Sequence, residues 1–94
     1  MILTTTQNLE HHTISEYLGV VFGQSIEKDE FGGDRRYLNI LSEACSGALS
    51  QLGASASIMR ADAVVGIRID FEIVDAAHIL VNATGTAVRI DRTY

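Results

Sequence analysis

Three histidines and a single cysteine are the residues of this 94-residue chain best suited to metal chemistry, and its carboxylates are the groups that could move protons. His11 and His12 stand side by side, and imidazole is a common metal ligand. Neighbouring residues in an extended segment point to opposite sides, so one ion collects both only at a sharp turn. A zinc centre also needs three or four ligands. The pair therefore reads first as two solvated loop side chains, with ligation as the competing assignment. His78 follows Asp75 by three residues and could face it across a turn; it too reads first as surface polar. His11, His12 and His78 are the weak candidate metal ligands of the chain.

Nothing in the remaining chemistry assembles a catalytic set or a cofactor-binding motif. Cys45 falls on an apolar helical face, where cysteine behaves as a small hydrophobe, and no Lys, Arg or His stands one turn away to favour its thiolate. One cysteine also excludes an internal disulfide and any Cys-x-x-Cys metal or redox site. Asp62, Asp70, Glu72 and Asp75 could suggest paired carboxylates. General acid–base work, however, needs one carboxyl perturbed by burial, and Asp70 and Glu72 alternate with apolar residues as the outer face of a strand. Gly32-Gly33 lacks the Gly-x-x-x-x-Gly-Lys context of a phosphate cradle. The expectation is a protein without enzymatic activity and without a cofactor.

The elements that must position these residues follow from periodicity. Residues 2–6 are short and β-prone. Residues 13–24 alternate as a strand, with Ile14, Glu16, Leu18, Val20 and Phe22 on one face and Ser15, Tyr17, Gly19, Val21 and Gly23 on the other. Both faces are partly apolar, which predicts a helix on one side and another cover opposite. Residues 25–34, with Lys28, four acidic residues and Gly32-Gly33, have the composition of a flexible loop.

From Arg35 to about Met59, Leu38, Leu41, Cys45, Ala48, Leu52, Ala56 and Met59 recur at spacings of three and four, which predicts an amphipathic helix docked on a sheet. Asp34 is placed to cap it. Gly47 and Gly53 each cost a helix interior about 1 kcal/mol relative to Ala, a penalty that close packing against another backbone offsets. The opposite face, with Asn39, Ser42, Ser46, Ser50 and Ser57, carries little charge.

The second long strand is the most regular stretch of the chain. Alternation from Ala63 predicts Ala63, Val65, Ile67, Ile69, Phe71 and Ile73 on a buried face, with Arg68, Asp70 and Glu72 outward. Burial of each larger side chain is worth about 1.5–3 kcal/mol, and a slip by one residue would bury the charges. Residues 75–77 read as a short connection. Ile79, Val81 and Ala83 continue a core face, and the shift of phase to Val88 and Ile90 predicts a bulge or bend at Gly85. The order is strand, helix, strand, strand with a short extra N-terminal strand, an α+β two-layer fold in one domain spanning residues 1–94.

Composition narrows the partners. A net charge of −5, with Lys28 the only lysine, argues against a surface that tracks nucleic-acid phosphates. No apolar run reaches the ~18–20 residues that cross a bilayer, and no basic segment followed by an apolar core marks a secretion signal. The expectation is a cytoplasmic protein. At this length folding buries only roughly 60–70% of the surface of the unfolded chain. One helix across a three-stranded antiparallel sheet leaves the other face and both edges open, and exposed edges favour association. A symmetric homo-oligomer is the expected outcome.

Four stretches carry a family resemblance: Thr5-Thr6-x-x-Leu9-Glu10-x-x-Thr13-Ile14-x-Glu16-Tyr17-x-Gly19-Val20-Val21-x-Gly23, then Leu52-Gly53-x-x-Ala56-x-x-Met59, Ala61-Asp62-Ala63-Val64-Val65-Gly66-Ile67, and Gly85-Thr86-Ala87-Val88. Together they resemble the YbjQ-like family of small bacterial and archaeal proteins, whose biochemical function is unknown and which bears a heavy-metal-binding label. The resemblance implies a dodecin-like β-α-β-β subunit in a ring, commonly a pentamer, with residues 2–6 bridging subunits. Where the family has a longer Gly-rich insertion before the helix, this chain has only Phe31-Gly32-Gly33-Asp34-Arg35-Arg36-Tyr37. None of its His or Cys residues falls on a recognisable family ligand. The sequence thus points to a ring-forming, non-enzymatic interaction or scaffold module. The alternative is a heavy-metal or small-ligand binder whose pockets lie between subunits.

Overall fold

The computed structural model describes residues 1–28, 34–75 and 78–92, with side chains for all of these except 34–38. In chain order the elements are β1 (Ile2–Leu3), β2 (His12–Lys28), α1 (Asp34–Ile58), β3 (Ala63–Asp75) and β4 (His78–Arg92). The strands form one sheet in the order β1-β3-β4-β2. The long strands pair antiparallel, and α1 packs chiefly on β2 and β4. This is the expected β-α-β-β layer pair. The sheet is mixed rather than wholly antiparallel, because β1 runs parallel to β3 through Ile2↔Ala63 and Leu3↔Val64. The segment that the resemblance assigns to a neighbouring subunit here pairs within its own chain.

The helix lies close to the sheet because its buried line is made of small residues. Ala44, Ala48, Leu52 and Ala56 are fully buried at steps of four, while Leu41 and Cys45 pack only partly against them. A Cβ on Gly23 would lie 1.9 Å from the Ala48 carbonyl oxygen and 2.7 Å from the Leu52 nitrogen, so β2 meets the helix backbone where only glycine fits. Gly47 approaches Ser25 similarly, its Cβ position 2.7 Å from Ser25 Oγ. At Gly53 the nearest atom is Leu3 Cδ1 at 3.9 Å, which is ordinary contact.

The helix ends in a Schellman motif. Arg60 N–H donates to the Ser57 carbonyl at 3.0 Å and Ala61 N–H to that of Ala56 at 3.1 Å, with Arg60 left-handed at φ 61°. The expected Asp34 cap and the contribution of Leu38 lie outside the described side chains, and the centre of the expected loop, residues 29–33, lies outside the described residues. The ends of that loop differ from expectation: β2 continues to Lys28, paired with His78.

The expected buried face of β3 is corrected by a bulge. Val65 pairs with Thr86 and Arg68 with Thr84, so Gly66 and Ile67 together oppose Gly85. Gly66 has φ 62°, the left-handed residue of a G1 bulge. Across it the strand changes phase. Ala63 and Val65 pack with Val88, Leu9, Ile14 and Ile90 away from the helix, whereas Val64 and Ile67 join the helix-side core.

Beyond the bulge, Ile69, Phe71 and Ile73 pair with Ala83, Val81 and Ile79, so they share the helix-side face. They are nevertheless exposed, Phe71 at 56%, because the helix sits over β2 and β4 and does not reach them. The bend expected at Gly85 is therefore a bulge on the facing strand. A Cβ at Gly85 would stand 2.5 Å from Val64 Cγ1 and 3.1 Å from Ile67 Cγ1, so the glycine makes room for the extra residue.

Register shifts between Ile14 and Glu16 and between Tyr17 and Gly19 likewise break the straight alternation expected of β2. Leu18 and Val21 face the helix-side core, while Val20, Phe22 and Ile26 remain exposed, Phe22 at 65%.

Candidate functional site

The three histidines do not meet within one chain. His11 sits in the turn before β2 with φ 61°. His12 opens β2, where its Nδ1 donates to the Glu10 carbonyl oxygen at 2.7 Å. His78 opens β4, and its Nδ1 donates to Asp75 Oδ1 at 2.8 Å and Oδ2 at 2.9 Å. His12 pairs with Arg92 and His78 with Lys28, at opposite ends of the longest ladder. Sixteen residues of strand separate the two, on the order of 50 Å at about 3.3 Å per residue. Among the described residues no group of three His, Cys, Asp or Glu is placed to hold a metal ion.

The other sequence candidates have structural surroundings. Cys45 packs partly against the helix-side core. Asp62 Oδ2 accepts the Ile90 N–H at 3.0 Å, tying the start of β3 to β4. Asp70 and Glu72 are exposed on the sheet face away from the helix. No polar or charged residue is buried among the described residues.

Sequence reasoning did not find a cavity of about 310 Å³ lined by Gln7, Asn8, Tyr17, Val65, Gly66 and Thr86. The N-terminal segment forms its rim and is held there by a ladder of bonds. Thr4 N–H donates to the Val64 carbonyl at 3.0 Å, Ile67 N–H to that of Thr4 at 3.1 Å and Gly66 N–H to that of Thr6 at 2.8 Å. Within the segment, the hydroxyls of Thr4 and Thr6 lie 2.8 Å apart, Thr6 N–H donates to Thr4 Oγ1 at 3.1 Å, and Thr6 Oγ1 donates to the Asn8 carbonyl at 2.8 Å. Gln7 and Asn8 are thereby positioned over the β3 bulge.

No reading of the sequence had singled out these residues as a site. Three of the four stretches that carry the resemblance contribute to it, through Tyr17, through Val65 and Gly66, and through Thr86. A second, more open groove of about 360 Å³ runs between Met1 and Leu3 and the serine face of α1 at Ser46, Ser50 and Ser57.

Fold and surface together define a small two-layer α+β domain with no polar or charged residue buried among those described. No helix among the described residues is long and apolar enough to cross a membrane. The family model described as "Putative heavy-metal-binding" (YbjQ) matches residues 1–91. Similar relatives include a UPF0145 protein of Pseudomonas putida, 42% identical over 96% of this chain and 99% of its own. One from Bifidobacterium longum is 34% identical over 99% and 98%.

The chain belongs to this uncharacterised family, and neither relative bears an enzyme name. The alignment with the P. putida protein spans 107 positions against 94 residues here, so that relative carries residues this chain lacks. A crystal structure of a protein of unknown function from Pediococcus pentosaceus shares the fold, with a TM-score of 0.78 at 23% identity over 97% of this chain and 98% of that one.

Proposed function

We propose that this protein works as a self-assembling, non-enzymatic interaction module, a closed homo-oligomer whose subunits cover one another's bare sheet. The observation that carries this reading is an excess of surface. The chain exposes 6279 Å², where a compact monomer of 10.2 kDa exposes about 5,300 Å². Its radius of gyration is 15.3 Å against about 12 Å for a compact domain of this length. The surplus is comparable to the roughly 800 Å² that each partner contributes to a standard interface.

Apolar side chains supply much of what would be covered: Val20, Phe22 and Ile26 on the bare face, and Ile69, Phe71 and Ile73 beside the helix. The two outer strands differ in how open they are. On β2, the Gln51 side chain accepts the Gln24 N–H and Ser55 Oγ donates to the Phe22 carbonyl at 3.4 Å, so the helix blunts that edge. On β3, β1 covers only Ala63 and Val64, extended by the bonds of Thr4 and Thr6 to Gly66 and Ile67. No strand among the described residues pairs with the outer edge of residues 68–75, and an open edge templates association. A ring of five is the assembly that the family resemblance implies. Light scattering at micromolar concentration tests the reading: a mass several times 10.2 kDa is expected, and a stable monomer overturns it.

A second reading, heavy-metal binding, takes its support from the family description and from two local arrangements. In both His12 and His78 the Nδ1 is engaged, by a carbonyl and a carboxylate respectively, leaving Nε2 as the ligand atom. Such outer partners orient metal-bound histidines. A complete site would need ligands from neighbouring subunits. Elemental analysis of the wild type beside His11→Ala, His12→Ala and His78→Ala tests it. Bound metal that falls with a substitution supports the reading, and metal at background, or unchanged in all three variants, removes these ligands.

A further inference from the structure

We propose that the cavity between the N-terminal segment and the β3 bulge binds a small, uncharged, planar heterocycle of the nucleobase kind. Its volume, about 310 Å³, lies at the lower end of the roughly 300–1,000 Å³ of ligand pockets, large enough for one or two fused rings. The lining chemistry selects the class. Gln7 and Asn8 each present a carbonyl acceptor beside an amide donor, the pair that meets the donor–acceptor edge of a base. Tyr17, 70% exposed, offers an aromatic face on which a planar ring stacks. Thr86 adds a hydroxyl and Val65 an apolar patch.

None of the six lining residues is charged. In a chain of net charge −5, a phosphate or carboxylate would find no counter-charge in the cavity. The side chains of Gln7, Asn8 and Tyr17 are exposed and Thr86 is half-buried, so their polar groups are within reach of a ligand. The rim is also preorganised. Gly66 and Ile67 bond the backbone of Thr6 and Thr4, and Thr6 Oγ1 bonds the Asn8 carbonyl. A segment already fixed loses little freedom on binding. A Cβ at Gly66 would meet nothing within 4 Å, so the bulge borders open space.

All six lining residues come from one chain, so this proposal and the self-association reading stand or fall separately. The test is a titration of the ¹⁵N-labelled protein with adenine and with uracil, followed by amide chemical shifts, with benzoate as a planar anion of similar size. Saturable shifts at Gln7, Asn8, Gly66 and Thr86 are expected with at least one base, with a Kd on the order of 1 mM for so few heavy atoms. Tyr17→Ala, at an exposed position, weakens binding about tenfold through lost stacking, and benzoate leaves these amides unmoved. The proposal is overturned if neither base gives a saturable shift, if benzoate gives the same shifts, or if Tyr17→Ala binds as tightly as the wild type.

Discussion

Residues 63–67 and 68–75 belong to one strand and carry similar alternating compositions, yet β3 is buried in its first half and exposed in its second. In the first half both faces are covered. Val64 and Ile67 enter the core under the helix, Ala63 and Val65 pack on Leu9 and Ile14, and the outer edge is taken by the N-terminal segment. In the second half Ile69, Phe71 and Ile73 point to the same side as the helix but lie past its flank. The polar faces differ as well, since Arg68, Asp70 and Glu72 have no cover among the described residues. The lesson is that alternation states which residues share a face, and the width of the covering layer states which face is dry.

The sharpest way to break this contrast is Val64→Ala. Val64 is fully buried, and removing two methyl groups there is expected to lower stability by about 2 kcal/mol through lost burial and a residual cavity, read as a shifted urea midpoint at unchanged slope. A loss below ~0.5 kcal/mol would mean that the first half is as loosely held as the second. Gly66→Ala probes the bulge that separates the halves. Space is open around a Cβ there, so the expected loss of about 1–2 kcal/mol comes from the left-handed backbone alone, and Gly66→Asn, which tolerates that conformation, should recover part of it.

Phe71→Ser gives the smallest effect on the fold. Unfolding of the dissociated subunit should change by no more than ~0.5 kcal/mol, while the assembled mass measured by light scattering falls if this half of β3 is an interface. An equally large loss of subunit stability would show that Phe71 is part of the intramolecular core.

The histidines illustrate what spacing conveys and what it omits. His78 and Asp75 meet as their separation across a turn suggested, at 2.8 Å. His12 and His78 are held apart by the full length of the β2–β4 ladder, a distance that depends on which strands pair and in which direction. The cavity was illegible for the same reason. Gln7, Tyr17, Gly66 and Thr86 are far apart in sequence and come from a turn, an edge strand, a bulge and a central strand. Nothing local marks them as neighbours.

By itself the sequence determined the order of the elements, the helix with its apolar line, the alternation of the long strands and the family. These follow from local periodicity, and the net charge of −5 with a single lysine argued against a nucleic-acid surface in the same direct way. Only the tertiary structure decided where the alternation changes phase, that a two-residue β1 closes one end of β3, and which apolar residues stay in water. Those outcomes depend on contacts between distant segments. The close approach of Gly23 to Ala48 sets how near the helix lies, the bulge opposite Gly85 sets which side of β3 faces it, and the span of one helix across a wider sheet leaves Phe22 and Phe71 uncovered.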